Sequence, residues 1–278
     1  MSSNAQPNES EISSSATALI KPKGFPPWMI DIGMPIVAMV VLLIIWEASV
    51  HGFAIPGYIL PPPSAIGAKM VESYGVIFGH TVATSRTILF GFVASIIVSL
   101  PLAVAITSSP IMANTIYPFL VLTQSIPKVA LAPILVVIMG ANEMPRVVIT
   151  FLVAFFPLVL AVAAGLKSVP AELIELGRAC RASRWKELIR IRLPYAVPFI
   201  FSGLKAAITL SVVGAVVAEF VNADRGLGYL IVTSTAFFEV PLAWAALIVL
   251  SVLGIVLFQI VALIERVCFP WAAADESK

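Results

Sequence analysis

Apolar residues run along this chain in blocks of twenty or more, and polar residues gather between the blocks. Six blocks stand out, at about 30–50, 86–107, 114–139, 145–166, 197–220 and 243–266. Each matches the roughly 20 mostly apolar residues that a helix needs to cross the hydrocarbon core of a bilayer. The pattern therefore predicts an all-α membrane protein with about six spanning helices in one domain over 28–270. Residues 1–27 are polar and rich in Ser, Asn, Glu and Pro, without the basic-then-apolar order of a signal peptide. They read as a disordered tail, with a second short tail at 271–278. Between the first two blocks, Pro56, Gly57, Pro61, Pro62 and Pro63 exclude continuous helix, because proline removes a donor and fixes φ. A shorter apolar piece, 227–240, opens with Gly226-Leu227-Gly228 and is followed by Pro241. It is too short to span and reads as a re-entrant or surface segment.

Composition agrees with that pattern. Hydrophobic residues make up 60% of the chain and charged residues 12%, against about a quarter charged in soluble domains. A net charge of +2 with no basic tract gives no sign of nucleic-acid binding. The two cysteines, Cys180 and Cys268, have no CxxC partner, and His51 and His80 form no HExxH pair. The chain also carries no GxxxxGK[ST] phosphate loop, so ATP and its magnesium are expected on another chain and no cofactor on this one.

Charge is concentrated in one place. Residues 171–194, AELIELGRACRASRWKELIRIRLP, hold six of the seventeen Lys+Arg residues: Arg178, Arg181, Arg184, Lys186, Arg190 and Arg192. With the N-terminus inside, twelve basic residues fall on the cytoplasmic side and four (Lys69, Arg86, Arg146 and Arg225) on the outer side. This bias predicts that both termini and the island are cytoplasmic. Within the island, Pro170 suits the first turn of a helix, and Glu172 and Glu175 suit its positive end. Leu173, Leu176 and Cys180 share one face. A break is expected near Arg181-Ala182-Ser183, after which Ser183 caps a second helix with Trp185, Leu188 and Ile189 on one face. The product is a surface helix-turn-helix over 168–194. It suits insertion into a groove on a soluble partner, or else it is a positive-inside loop lying at the interface.

This island resembles the EAA loop of ABC-importer permeases, with Glu175 in the place of the Glu and Ile191, Leu193 and Pro194 at the end. Pro-x-x-x-Leu-Pro-Pro-Pro-Ser at 56–64, Gln124-Ser125-Ile126-Pro127-Lys128-Val129-Ala130-Leu131-Ala132-Pro133, and Glu219 before Gly226-Leu227-Gly228 are similar to the nitrate/sulfonate/taurine group of these permeases. The resemblance covers nearly all of the chain after residue 30. It implies a MetI-like type I permease in the bacterial inner membrane. The partners it implies are two ATPase subunits, a second permease copy forming a homodimer, and an extracytoplasmic binding protein. It implies ATPase coupling through Glu175, Arg178, Arg181, Ala182 and Ser183, and import of a small anion or a vitamin precursor. The chain departs from the pattern at Leu176 and Gly177, in place of two alanines, and at Arg181, in place of a glycine. Arginine is disfavoured at φ > 0, so a differently built turn is expected, with Gly177 relaxing the first helix or Arg181 touching the partner.

Polar groups inside spans mark candidate pathway positions. Lys128 sits near the middle of the third block, among Pro118, Pro127 and Pro133. Gln124, Ser125 and Lys128 offer an amide, a hydroxyl and a cation to a solute; alternatively Lys128 pairs with Glu219 or Glu47. Glu219 reads as a pathway residue, a solvated helix-end carboxylate, or a tie to the re-entrant segment or to Lys128. A self-contained secondary transporter is the main rival. It would show an internal repeat with two matching broken helices, and only 114–139 has that character. An intramembrane enzyme would need a nucleophile–base or metal set, and no HExxH or GxSxG is present.

Overall fold

The computed structural model describes residues 33–221 and 223–273, so the expected tail at 1–27 and most of that at 271–278 lie outside the described residues. The chain divides into two units, Met1–Ala54 and Ile55–Lys278. The first unit contains α1 (Met34–Gly52), an unbroken apolar helix with proline in its first turn. Its end is closed by the Phe53 N–H donating to the Ser49 carbonyl at 3.0 Å.

The second unit runs α2 (Pro63–Glu72), α3 (Tyr74–Ser108), α4 (Pro110–Gln124), a 3₁₀ turn (Lys128–Leu131), α5 (Ala132–Met139) and α6 (Met144–Lys167). It continues through α7 (Ala171–Ala179), α8 (Arg184–Glu187), a π turn (Leu188–Arg192), α9 (Leu193–Val221), α10 (Leu227–Ala236), α11 (Val240–Cys268) and α12 (Pro270–Ala273). No strand occurs among the described residues. Proline lies in the first two positions of α2, α4, α6 and α11, where its missing N–H costs nothing.

Helix α6 is the axis of this unit and packs between α3 and α9. Leu158, Val162 and Leu166 of α6 meet Ile88 of α3 and Ala196, Ala207 and Ile208 of α9, all fully or almost fully buried. In lipid the attraction between helices comes from close packing and small residues rather than from expelling water. Gly203 and Gly214 serve that purpose on α9: a Cβ at Gly203 would lie 2.6 Å from the Ala161 Cβ, and one at Gly214 3.0 Å from the Thr150 Cα. Buried hydroxyls are satisfied by backbone. Ser95 donates to the Phe92 carbonyl at 2.7 Å, and Ser99 reaches across to the Phe155 carbonyl of α6 at 3.2 Å. On α11, Ile255 and Leu263 remain about 60% exposed, a surface that suits hydrocarbon rather than water.

Among the described residues five helices are long and apolar enough to cross a membrane, or six when one bent pair counts as a span. That pair is the third block, the one with broken-helix character. Residues 114–139 are not one helix: α4 and the segment Lys128–Met139 meet at 85°. The chain turns over Ser125–Pro127, where Pro127 lacks the N–H that would carry the helical ladder through. The piece after Gly226 is helical for ten residues, Leu227–Ala236, and is held by buried Leu227 and Leu230.

Candidate functional site

The island at one end of the second unit forms the expected helix-turn-helix. Pro170 is the N-cap of α7 rather than a residue of its first turn, and Glu172 lies in that turn. The turn after α7 is a Schellman motif. The Ala182 N–H donates to the Gly177 carbonyl at 3.0 Å, and the Arg181 N–H donates to the Arg178 carbonyl at 2.9 Å. Arg181 occupies the left-handed position with φ +53°. The expectation of a differently built turn is therefore corrected: arginine adopts the backbone that glycine would favour. Gly177 does not relax α7. It lets Ile191 approach, since a Cβ there would lie 2.7 Å from the Ile191 Cδ1. Ser183 caps α8, its Oγ accepting from the Lys186 N–H at 3.4 Å.

Side-chain exposure on the island is uneven. Leu176 and Trp185 are more than 60% exposed, and Leu173 and Ile189 more than 40%. Leu188, expected on the Trp185 face, is buried, so the second face is split. Glu175, Arg181 and Ser183 are exposed and Ala182 is half-buried. Arg178 is exposed as well, its Nε 4.0 Å from Glu187. Glu187 is buried and binds Arg192 through one oxygen at 2.6 and 2.8 Å. From Arg184 to Val221 the chain forms one 38-residue helix. It passes through the π turn, where Pro194 lacks the N–H that would close the ordinary bond to Arg190.

The broken span carries the expected polar trio. Gln124 ends α4, Ser125 follows it, and both are exposed. Lys128 is half-buried at the bend. Its ammonium lies 5.1 Å from the centroid of the Phe156 ring on α6. The alternative in which Lys128 pairs with Glu219 is corrected by the position of Glu219, which is fully engaged elsewhere.

Glu219 is 2% exposed near the end of α9 away from the island. It is not a solvated helix end but the tie to the re-entrant segment. Three successive N–H groups at the start of α10 are held by three side chains. Gly226 donates to His80 Nδ1 at 3.0 Å, Leu227 to Thr84 Oγ1 at 2.7 Å, and Gly228 to Glu219 Oε2 at 2.8 Å. Thr84 in turn donates to Glu219 at 2.9 Å. The group joins α3, α9 and α10 and satisfies a buried helix N-terminus. Close by, buried Arg146 donates to the Arg225 carbonyl at 3.0 Å and lies 3.7 Å from Asp224.

The sequence reading did not single out Thr84, Glu187 or the buried pair of Lys205 and Glu265, 2.8 Å apart between α9 and α11. A polar residue inside an apolar block was the available signal at Lys205, whereas Thr84 lay just before the block at 86–107. Glu187 lay hidden among the charges of the island. No cluster able to hold a metal ion occurs among the described residues.

The profile of the binding-protein-dependent transport system inner membrane component family matches residues 95–267. The chain belongs to this family. It is 33% identical over 245 residues to the riboflavin transport system permease protein RibX of Chloroflexus aurantiacus, covering 87% of this chain and 91% of that one. It is also 33% identical to the formylaminopyrimidine transport permease protein ThiX of Halalkalibacterium halodurans, over 85% and 95% of the two chains. Identity is 25% to the taurine transport system permease protein TauC of Escherichia coli, over 87% and 90%. In fold the permease is similar to an inward-facing MetNI methionine ABC transporter structure, with TM-score 0.64 at 19% identity over 70% of this chain and 97% of that one. The permease is therefore a multi-pass inner-membrane subunit of an ABC importer, of MetI-like fold, and its work is transport rather than catalysis.

Proposed function

We propose that this permease passes a small polar solute through a pore formed by two copies of the chain, driven by two ATPase subunits that grip α7 and α8. The observation that carries the reading is the mechanical continuity of the island. Its exposed face, with Leu173, Leu176 and Trp185, belongs to an element whose second helix runs without a break into α9. A shift imposed on α8 is thereby delivered to a spanning helix rather than absorbed in a loop. Glu175, Arg181, Ala182 and Ser183 border the turn and supply the polar part of the contact, while Arg178 braces the element through Glu187. ATP and magnesium sit on the partner ATPase. The excess of basic residues on the island side supports a cytoplasmic island and cytoplasmic termini, which leaves the end with Arg146 and Asp224 to meet an extracytoplasmic binding protein.

The pathway runs past the bend in the third span, where Gln124, Ser125 and Lys128 stand together, with Glu219 fixing the wall formed by α10. A cation there favours a solute carrying negative charge, such as a sulfonate. A second reading, a nitrogen heterocycle of the vitamin-precursor kind, is favoured by the two relatives at 33% identity, which are named for riboflavin and formylaminopyrimidine. Reconstitution with the cognate ATPase and binding protein separates the two. Taurine stimulating ATP hydrolysis, with the stimulation lost in Lys128→Ala, supports the anion; stimulation by formylaminopyrimidine alone supports the heterocycle. Stimulation by neither, with a coupled complex in hand, overturns both.

A further inference from the structure

Behind the island lies a pocket that the coupling mechanism leaves unused. It has a volume of about 340 Å³ and is lined by Thr107, Ser108, Ser109, Arg178, Arg184 and Arg192, with Glu187 at its base. Such a volume falls in the range of small-molecule sites. Three guanidinium groups face one carboxyl group, and that group is committed to Arg192 at 2.6 Å. Arg178 stands 4.0 Å from the second Glu187 oxygen, and Arg184 has no ion pair among the described residues. Three guanidinium groups against one shared carboxylate leave the pocket lining a net surplus of two positive charges. Helix α4 begins at its wall with Ser109 as N-cap, adding the positive end of a helix dipole. Thr107, Ser108 and Ser109 also line the pocket.

Position narrows the ligand. The pocket lies where α3 ends, at Ser108, and where the long helix from Arg184 to Val221 begins. Those are the points at which the spans leave the hydrocarbon, the depth of lipid headgroups. Clustered guanidinium groups suit the tetrahedral oxygens of a phosphate ester. We propose that this pocket binds a phosphate-bearing anion, either an anionic phospholipid headgroup or a free phosphate, which ties the 107–110 turn to α7 and α8. Occupancy makes the coupling element part of one rigid body with α3 and α4, so the anion content of the leaflet sets how firmly the island is held.

The test uses the full chain in detergent and three variants, Arg178→Ala, Arg184→Ala and Ser108→Asp, all at exposed positions. Thermal unfolding and native mass spectrometry are recorded with phosphatidylglycerol, with phosphatidylcholine and with inorganic phosphate. The expected result is retention of phosphatidylglycerol over phosphatidylcholine and a raised Tm. Affinity should fall about fivefold for each lost arginine, and Ser108→Asp should lose the preference altogether. Binding of phosphatidylglycerol that millimolar phosphate does not displace identifies the headgroup as the source. A Tm rise with phosphate alone, lost in the same variants, identifies the free anion. Equal unfolding temperatures of all four proteins in phosphatidylcholine show that the variants fold. Absence of both effects, or anion binding undiminished in all three variants, overturns the proposal.

Discussion

Among the turns that place a residue at positive φ, two treat the side chain in opposite ways. At the island, Arg181 takes φ +53° with its side chain in the open. At the start of α10, Gly226 takes φ +126°, and a Cβ there would run into the Glu219 carboxyl group. The first position demands only a backbone conformation, which an L-residue adopts at a cost of about 1–2 kcal/mol. The second demands that conformation and empty space together. A turn at a surface thus tolerates departure from glycine, whereas a turn packed on a buried acid does not.

The largest effect that tests this contrast is at Gly226. Gly226→Ala combines a backbone region almost closed to alanine with overlap against Glu219, and a loss of at least about 3 kcal/mol is expected. Size-exclusion profiles of the detergent-extracted protein should show aggregation in place of a monodisperse peak. Gly140 is the control. Its φ is +82°, but the nearest atom to an added Cβ is the Asn142 Nδ2 at 3.5 Å. Gly140→Ala should cost about 1–3 kcal/mol from backbone strain alone, and equal damage at the two sites would break the comparison.

Glu219→Ala comes next. It leaves the Gly228 N–H and the Thr84 hydroxyl without their acceptor in a buried site, worth about 3 kcal/mol in total. Hydrogen exchange should show α10 opening ahead of the rest of the second unit. Protection of α10 unchanged in the variant would mean that its N-terminus is held by packing alone.

Smaller effects are expected at the island. Arg181→Gly relieves the left-handed strain and should raise stability by about 1 kcal/mol, seen as a higher Tm. Ser183→Ala removes the α8 cap, whose hydrogen bond is long at 3.4 Å, and should lower stability by about 0.5 kcal/mol. A fall in Tm for Arg181→Gly would show that the arginine side chain itself stabilises the turn.

The same contrast explains what the sequence could and could not reveal. Spans, the helix-turn-helix, the Ser183 cap and the short segment after Gly226 follow from local patterns: apolar runs, spacing and turn residues. The tie between Glu219 and α10 was one of several readings, because choosing it requires Thr84, 135 residues away in the chain. Breakage near Pro127 was suggested by prolines, but a bend of 85° depends on how the helices on either side of it pack on α6. The left-handed arginine was read the other way, since propensity argues against it and only the two hydrogen bonds of the Schellman turn outweigh that preference. Leu188 left the Trp185 face because it packs into the core cluster with Ala196 and Val197 while Ile189 stays exposed, and that choice depends on how the island sits against the spans.

The central claim is that α7 and α8 are the surface that receives the ATPase. Cys180, exposed at the end of α7, reports on that surface directly. With Cys268 changed to serine, the rate of maleimide labelling is measured for the chain alone and for the chain co-purified with its ATPase. Docking at the island predicts at least about a tenfold slowing on association, and loss of both association and protection in Glu175→Arg combined with Leu176→Glu. An ATPase that stays bound while Cys180 labels at the rate of the free chain would place the coupling surface elsewhere and contradict the account.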